Sequence, residues 1–202
     1  AVAAATAIGG ITLAKGFQRL IGIDTARAKL EALGHSAENV ELIMGNALDA
    51  VRGTAYGLDE AATAAASAVA AGIKPGKELH KYLTLVGDAA AIAGTDFNEM
   101  ASIFNKVQTA QRAYTGDLNM LADRGIPIYQ WLAEEAGTSA EAIRDMASKG
   151  EISAEMFRKA VDKNIGGAAK TIGEKSFAAA LRNIGADIAR IGANFLDAGG
   201  QA

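Results

Sequence analysis

Gly72-Ile73-Lys74-Pro75-Gly76-Lys77-Glu78 is the stretch closest to a phosphate-binding loop. Such a loop needs glycines at fixed spacing, a row of free backbone N–H donors, and a hydroxyl to hold magnesium. Here the glycines stand one residue too close, Pro75 removes a donor, and Glu78 replaces the hydroxyl. The stretch reads as a turn between two helices. Asp59–Glu60, Glu134–Glu135 and Asp117 with Asp123 offer paired carboxylates. Glycoside chemistry needs two carboxyls facing across a cleft with one of them raised in pKa. Acids beside Lys and Arg on helix surfaces read instead as a solvated face. Cysteine is absent, so there is no disulfide, thiolate zinc site or thiol nucleophile. The two histidines do not suggest ligands: His35 follows Gly34 near a helix C-terminus, and His80 falls on the polar side of its helix. Neither an oxygen-rich calcium loop nor an interpretable Ser–His–Asp arrangement is present. The sequence therefore assigns no catalytic residue, cofactor or metal, and the chain is not read as an enzyme.

A second constellation lies at Gln130–Met146. Ala133, Gly137 and Ile143 have the spacing of a DNA-binding helix-turn-helix, and Thr138 with Glu141 reads as a capping box opening the second helix. A helix that reads DNA must present side chains to phosphates and base edges. This one presents Ser139, Ala140, Glu141, Arg144 and Asp145, so the turn is expected and the DNA function is not.

The elements that position these residues follow from composition and punctuation. Half of the 202 residues are hydrophobic, but 46 are alanine and 23 glycine, about a third of the chain together, and only 5% are aromatic. Methyl groups bury little area each, so at roughly 25 cal/mol per Å² an alanine-built core is weakly stabilised, and a marginally stable module is expected. The net charge of −3 argues against a dedicated nucleic-acid or anionic-membrane surface. Ser36, Thr95 and Thr138 read as helix starts, while Gly34, Gly72, Gly94, Gly125, Gly137 and Gly150 sit where a left-handed residue stops a helix. Pro127 suits the first turn of a helix over Ile128–Ala136.

Together these marks predict helices over 3–20, 25–33, 37–52, 59–71, 78–93, 96–112, 117–124, 127–136, 139–149 and 154–164. A longer one follows over 174–197. Leu79, Tyr82, Leu83 and Val86 recur with helical spacing, as do Phe97, Met100, Ala101 and Phe104. No segment alternates with period two, so no sheet is expected. The fold class is all-α: a single-domain multi-helix bundle of about ten short helices with a longer C-terminal helix.

The two ends differ from the middle. Residues 1–18 form a small-residue lead-in; the first 14 are uncharged but too few to span a bilayer and lack a basic signal-peptide start. The chain opens Ala1-Val2-Ala3-Ala4-Ala5 without Met, which suggests a piece taken from something longer. Near the other end Phe177, Leu181, Ile184, Ile188, Ile191 and Phe195 are spaced 4-3-4-3-4, a heptad seam. That seam fits a long helix laid on its own bundle, or alternatively a stalk that continues beyond it.

Several blocks in order along the chain carry a family resemblance. Gly72-Ile73-Lys74-Pro75-Gly76, Ile103-Phe104-Asn105-Lys106-Val107, and the run Leu121-Ala122-Asp123-Arg124-Gly125-Ile126-Pro127-Ile128-Tyr129-Gln130-Trp131-Leu132 resemble the N-terminal domain of tailed-phage tape measure proteins. Ser148-Lys149-Gly150-Glu151, Asn164-Ile165-Gly166-Gly167-Ala168 and Arg190-Ile191-Gly192-Ala193-Asn194 continue the likeness, which covers about Arg19 to Gly200. The resemblance implies a helical tape-measure domain over 19–200 in a phage or prophage tail protein. It further implies a helical ruler that sets tail length inside the tail tube, located in the virion tail and, during assembly, in the host cytoplasm. Implied partners are the tail-tube protein, tail assembly chaperones and other copies of the same chain. It implies no small-molecule substrate and no catalytic residues. A ruler should be a continuous rod, whereas these helices are individually capped, so the chain reads as the folded end of such a ruler. The competing functions weighed are a DNA-binding helix-turn-helix module and a membrane-active segment used in DNA ejection.

The residues singled out as structural or interacting are Arg124, Gly125, Ile126, Pro127, Tyr129 and Trp131. Tyr129 and Trp131 are scarce large surfaces in an alanine-dominated chain, and the sequence favours a role in holding the fold over one in binding a partner.

Overall fold

A computed structural model of the chain describes residues 18–176, so the heptad seam and nearly all of the lead-in lie outside the described residues. The fold is all-α. Helix α1 occupies 18–32, followed by α2 (Ala37–Val51), α3 (Leu58–Ala70), α4 (Lys77–Ala93) and α5 (Phe97–Ala110). Then come α6 (Thr115–Ala122), α7 (Ile128–Ala136), α8 (Ala140–Ser148) and α9 (Ala154–Ile165), and α10 runs from 168 to the last described residue, 176.

Glycine ends most of these helices by one device. At six ends the residue after the glycine donates its N–H back to a carbonyl in the last turn: His35 to Leu30, Ile73 to Ala68, Thr95 to Ala90, Ile126 to Leu121, Thr138 to Ala133 and Glu151 to Met146. Each glycine has positive φ, from 66° at Gly137 to 97° at Gly72. This is the Schellman closure, which satisfies carbonyls that would otherwise be orphaned.

Two of the expected caps stand one residue further on. Thr95 and Thr138 belong to the closure of the preceding helix through their N–H groups, and the side-chain cap of the next helix comes from the following residue. Asp96 Oδ1 accepts from Glu99 N at 2.8 Å, and Ser139 Oγ accepts from Ala142 N at 3.1 Å. The capping box expected at Thr138 is thus a plain cap at Ser139. Ser36 caps α2 as expected.

The core is more than alanine. Alanine-rich α3 buries Ala61, Ala62, Ala64, Ala65, Ala66 and Ala68 and packs against α2, α4 and α5, so methyl-sized faces let those helices approach. Between α4, α5 and α9 the filling is aromatic: Tyr82 meets Phe104 edge-on at 6.1 Å, and Phe104 meets Phe157 at 5.0 Å. A single hydrophobic cluster runs from Ala26 to Ile165.

Three further expectations fail locally. No break divides 20 from 25: α1 runs through Gly22, where a side-chain methyl would stand 3.2 Å from Asp59 Cβ. Close approach there outweighs the roughly 1 kcal/mol that glycine costs inside a helix. Arg112–Ala113 and Ile152–Ser153 pair as a two-residue antiparallel ladder, where only loop was expected at 112–116. It is too short to show period-two alternation. Helix α10 starts at 168 rather than 174, close behind the Gly166–Gly167 break. A methyl on Gly173 would stand 2.8 Å from the Gly53 carbonyl oxygen and 3.1 Å from Thr54 Cα. Helices α1 and α10 therefore both rest on the corner between α2 and α3.

Candidate functional site

The segment Arg124–Trp131 is the turn from α6 into α7, and its side chains tie four helices together. Leu121 receives Ile126 N–H at 3.1 Å, with Gly125 between them at φ 80°. Ile126 is fully buried. Pro127 stands just before α7, and its carbonyl accepts from Trp131 N at 3.1 Å. Arg124 reaches α5: its guanidinium pairs with the Glu99 carboxylate, with Nε 3.0 Å from Oε1, while Nη1 donates to Met120 O at 2.7 Å.

Tyr129 is buried, and its hydroxyl donates to Asn119 Oδ1 in α6 at 2.7 Å. Arg144 of α8 stacks over the same ring, its guanidinium carbon 4.1 Å from the centroid. Burial pushes the Tyr129 phenol up from its ordinary value, and the nearby Arg144 charge partly opposes it. Trp131 is half-buried against the core. The structure thus places the six residues at one turn, where Arg124 and Tyr129 make the contacts to neighbouring helices. Every polar group just named ends on another helix or on its own turn, so the turn positions helices.

The other candidates resolve into structural roles. Gly76 N donates to Asn46 Oδ1 at 2.8 Å, which fixes the Gly72–Lys77 segment as a turn against α2. Glu60 accepts from Gly57 N at 3.0 Å and Asp117 from Tyr114 N at 2.9 Å, each closing the first turn of its helix. Asp117 is buried, and its other oxygen lies 2.7 Å from Lys106 Nζ. Glu135 lies 2.6 Å from Lys159 Nζ and 3.8 Å from Lys163 Nζ, which joins α7 to α9. Lys159, hydrogen-bonded to the carboxylate, holds Glu135 below its ordinary pKa, and Lys163 adds to the effect.

The α7–α8 pair has the helix-turn-helix core positions, with Ala133 and Ile143 buried and Gly137 in the turn. Its second helix is poorly equipped for DNA. Arg144 is engaged over Tyr129, Asp145 is paired with Lys149 at 2.6 Å, and Glu141 is exposed. Among the described residues no helix is long and apolar enough to cross a membrane, and no three His, Asp or Glu side chains converge as a metal site.

A groove of about 470 Å³ separates α4 from α9, walled by Lys81, Tyr82, Arg158 and Asp162 among others. Its charges are largely satisfied: Lys81 pairs with Asp162 at 2.9 Å and Arg158 donates to Gln108 Oε1 at 2.6 Å. Sequence reasoning passed over Asp88, an acid inside the apolar run Leu85-Val86-Gly87-Asp88-Ala89-Ala90. It is buried, Oδ2 accepting from Gly167 N at 2.7 Å and Oδ1 from Ala169 N at 2.8 Å. The lone charge in an otherwise apolar helix stretch was the available signal.

Comparison with known proteins adds the context. The family model described as "Tape measure protein" matches residues 14–202. The "Probable tape measure protein" of Escherichia phage Mu is 33% identical over 79 residues, which is 38% of this chain and 11% of that protein. The match therefore touches about a tenth of the relative's length. No solved structure matches the chain significantly.

Proposed function

The chain belongs to the tape measure protein family of phage tail structural proteins, and on that premise we propose that it is the folded end of a helical ruler. In this reading the parent protein lies inside the tail tube and sets its length. This module meets the tail-tube protein, tail assembly chaperones or further copies of itself, first in the host cytoplasm and then in the virion tail. Its role is structural rather than catalytic.

The observation that carries the proposal is the repeated helix termination. A ruler grows by about 1.5 Å per residue only along continuous helix. The longest described helix with both ends in view, α4, has 17 residues and stops at a left-handed Gly94. Six Schellman closures and one shared hydrophobic cluster among the described residues support a compact body rather than graduations.

Tail length tests this directly. In a phage carrying the parent gene, residues 18–176 are deleted in frame and tails are measured by electron microscopy. Assembled tails of unchanged length support a folded module outside the ruled length. Shortening by about 240 Å, the rise of the deleted residues as continuous helix, would overturn it.

A further inference from the structure

The described part of α10 differs from the rest of the bundle in how little side-chain burial holds it. Of its described residues only Ala169 is buried; Ala168 and Gly173 are half-buried and the others, including Ile172, are exposed. Its described residues contribute no large apolar side chain to the core. Beside Ala168, which packs against the core, its described residues make small, specific contacts. The Asp88 carboxylate of α4 receives the N–H groups of Gly167 and Ala169 at its first turn. Ala169 lies over Gly87, where an added methyl would stand 3.9 Å from Ala169 Cβ and 3.1 Å from the Phe97 ring. Gly173 sits on the Gly53–Thr54 backbone, too close for any side chain.

Two consecutive glycines separate α10 from α9. Gly166 is extended at φ −53° and ψ 125°, and Gly167 is left-handed at φ 86°. This is backbone that turns with little steric resistance. A hinge, a single carboxylate latch and a thin glycine–alanine contact surface are therefore built in series.

We propose that α10 is a detachable strap, latched by Asp88 and hinged at Gly166–Gly167, that leaves the bundle as a unit while α2–α9 stay folded. Unlatching hydrates the Asp88 carboxylate and frees the Gly53–Thr54 corner. Because Asp88 acts as the N-terminal cap of α10 from another helix, both N–H groups lose their partner in the same event, which makes release cooperative. The inference stands on this geometry alone and does not depend on the ruler reading.

Hydrogen exchange read by mass spectrometry on the full 202-residue chain tests it. In the unaltered protein the amides of 169–176 are expected to exchange by a local opening, about 100-fold faster than those of α5. Asp88→Ala is expected to accelerate 169–176 by a further tenfold or so and leave α3 and α5 unchanged. Equal protection of 169–176 and α5 in the unaltered chain overturns the proposal, as does parallel acceleration of both by the substitution. Should Asp88→Ala fail to fold, Gly173→Ala, whose methyl meets the Gly53–Thr54 backbone, takes its place. Selective acceleration of 169–176 in that variant supports the strap, and acceleration spread over α3 and α5 overturns it.

Discussion

The Tyr129 hydroxyl donates to Asn119 Oδ1 at 2.7 Å, locking α7 to α6 from inside a site that Arg144 covers from α8. Tyr129→Phe keeps the ring and its stacking partner but leaves the Asn119 acceptor unanswered. It is expected to cost about 1 kcal/mol in urea unfolding. Asn119→Ala should cost a similar amount, and the double variant less than the sum of the two. Fully additive effects would mean that the two groups do not interact.

The aromatic chain is expected to bear the largest single stabilisation. Phe104 touches both Tyr82 and Phe157 edge-on and is fully buried, so it joins α4, α5 and α9. Phe104→Ala should lose about 3–5 kcal/mol by chemical denaturation. A loss under about 1 kcal/mol would show that the site collapses around the cavity.

Helix-ending glycines offer a backbone test free of side-chain clashes. Gly94 and Gly137 have φ 67° and 66°, and a methyl at either would meet nothing within 4 Å. Gly94→Ala and Gly137→Ala are therefore each expected to cost about 1 kcal/mol through the left-handed conformation alone. Calorimetric midpoints that do not fall would count against these assignments.

Two carboxylates give opposite pH signatures. Hydrogen bonding to Lys159 depresses Glu135 below its ordinary 4.5, so the stability it adds is present above that value and is lost as pH falls through the folded pKa. Burial raises Asp88 above its ordinary 3.8 despite the Ala169 and Gly167 N–H groups, with Asp162 raising it and Lys170 lowering it further. Its contribution is therefore greatest with the carboxyl protonated and declines as pH rises through the folded value. Relative to Glu135→Gln, the unaltered chain should lose urea resistance on acidification; relative to Asp88→Asn, it should lose it as pH climbs from about 4. Parallel curves in either comparison would refute the corresponding assignment.

Periodicity and glycine placement were enough to find most helices, because each end uses local chemistry. Gly34, Gly72, Gly94, Gly125, Gly137 and Gly150 all stop helices as expected. What local signals missed was shared helix boundaries and distance. Thr95 and Thr138 read as caps, but their N–H groups close the preceding helix and the following residue caps the next. Gly22 read as part of a break, yet it makes room for Asp59, 37 positions along the sequence. The turn at Arg124–Trp131 was visible as a scarce cluster of large side chains. Its partners Glu99, Asn119 and Arg144 were not, since each lies on another helix. Asp88 was invisible for the same reason: its partners stand 79 and 81 positions away.

Gly22 leans on Asp59 and Gly173 on Gly53 and Thr54, so the first and last described helices meet the bundle at one corner. Under tension applied across the described residues, that arrangement is expected to load α1 and α10 first, with α10 leaving as a unit once the Asp88 contacts break. Mechanical resistance and thermodynamic stability are therefore set by different residues. A pull across the described residues is expected to meet a low first yield from α10, ahead of the unfolding that urea reports for the Phe104-centred core.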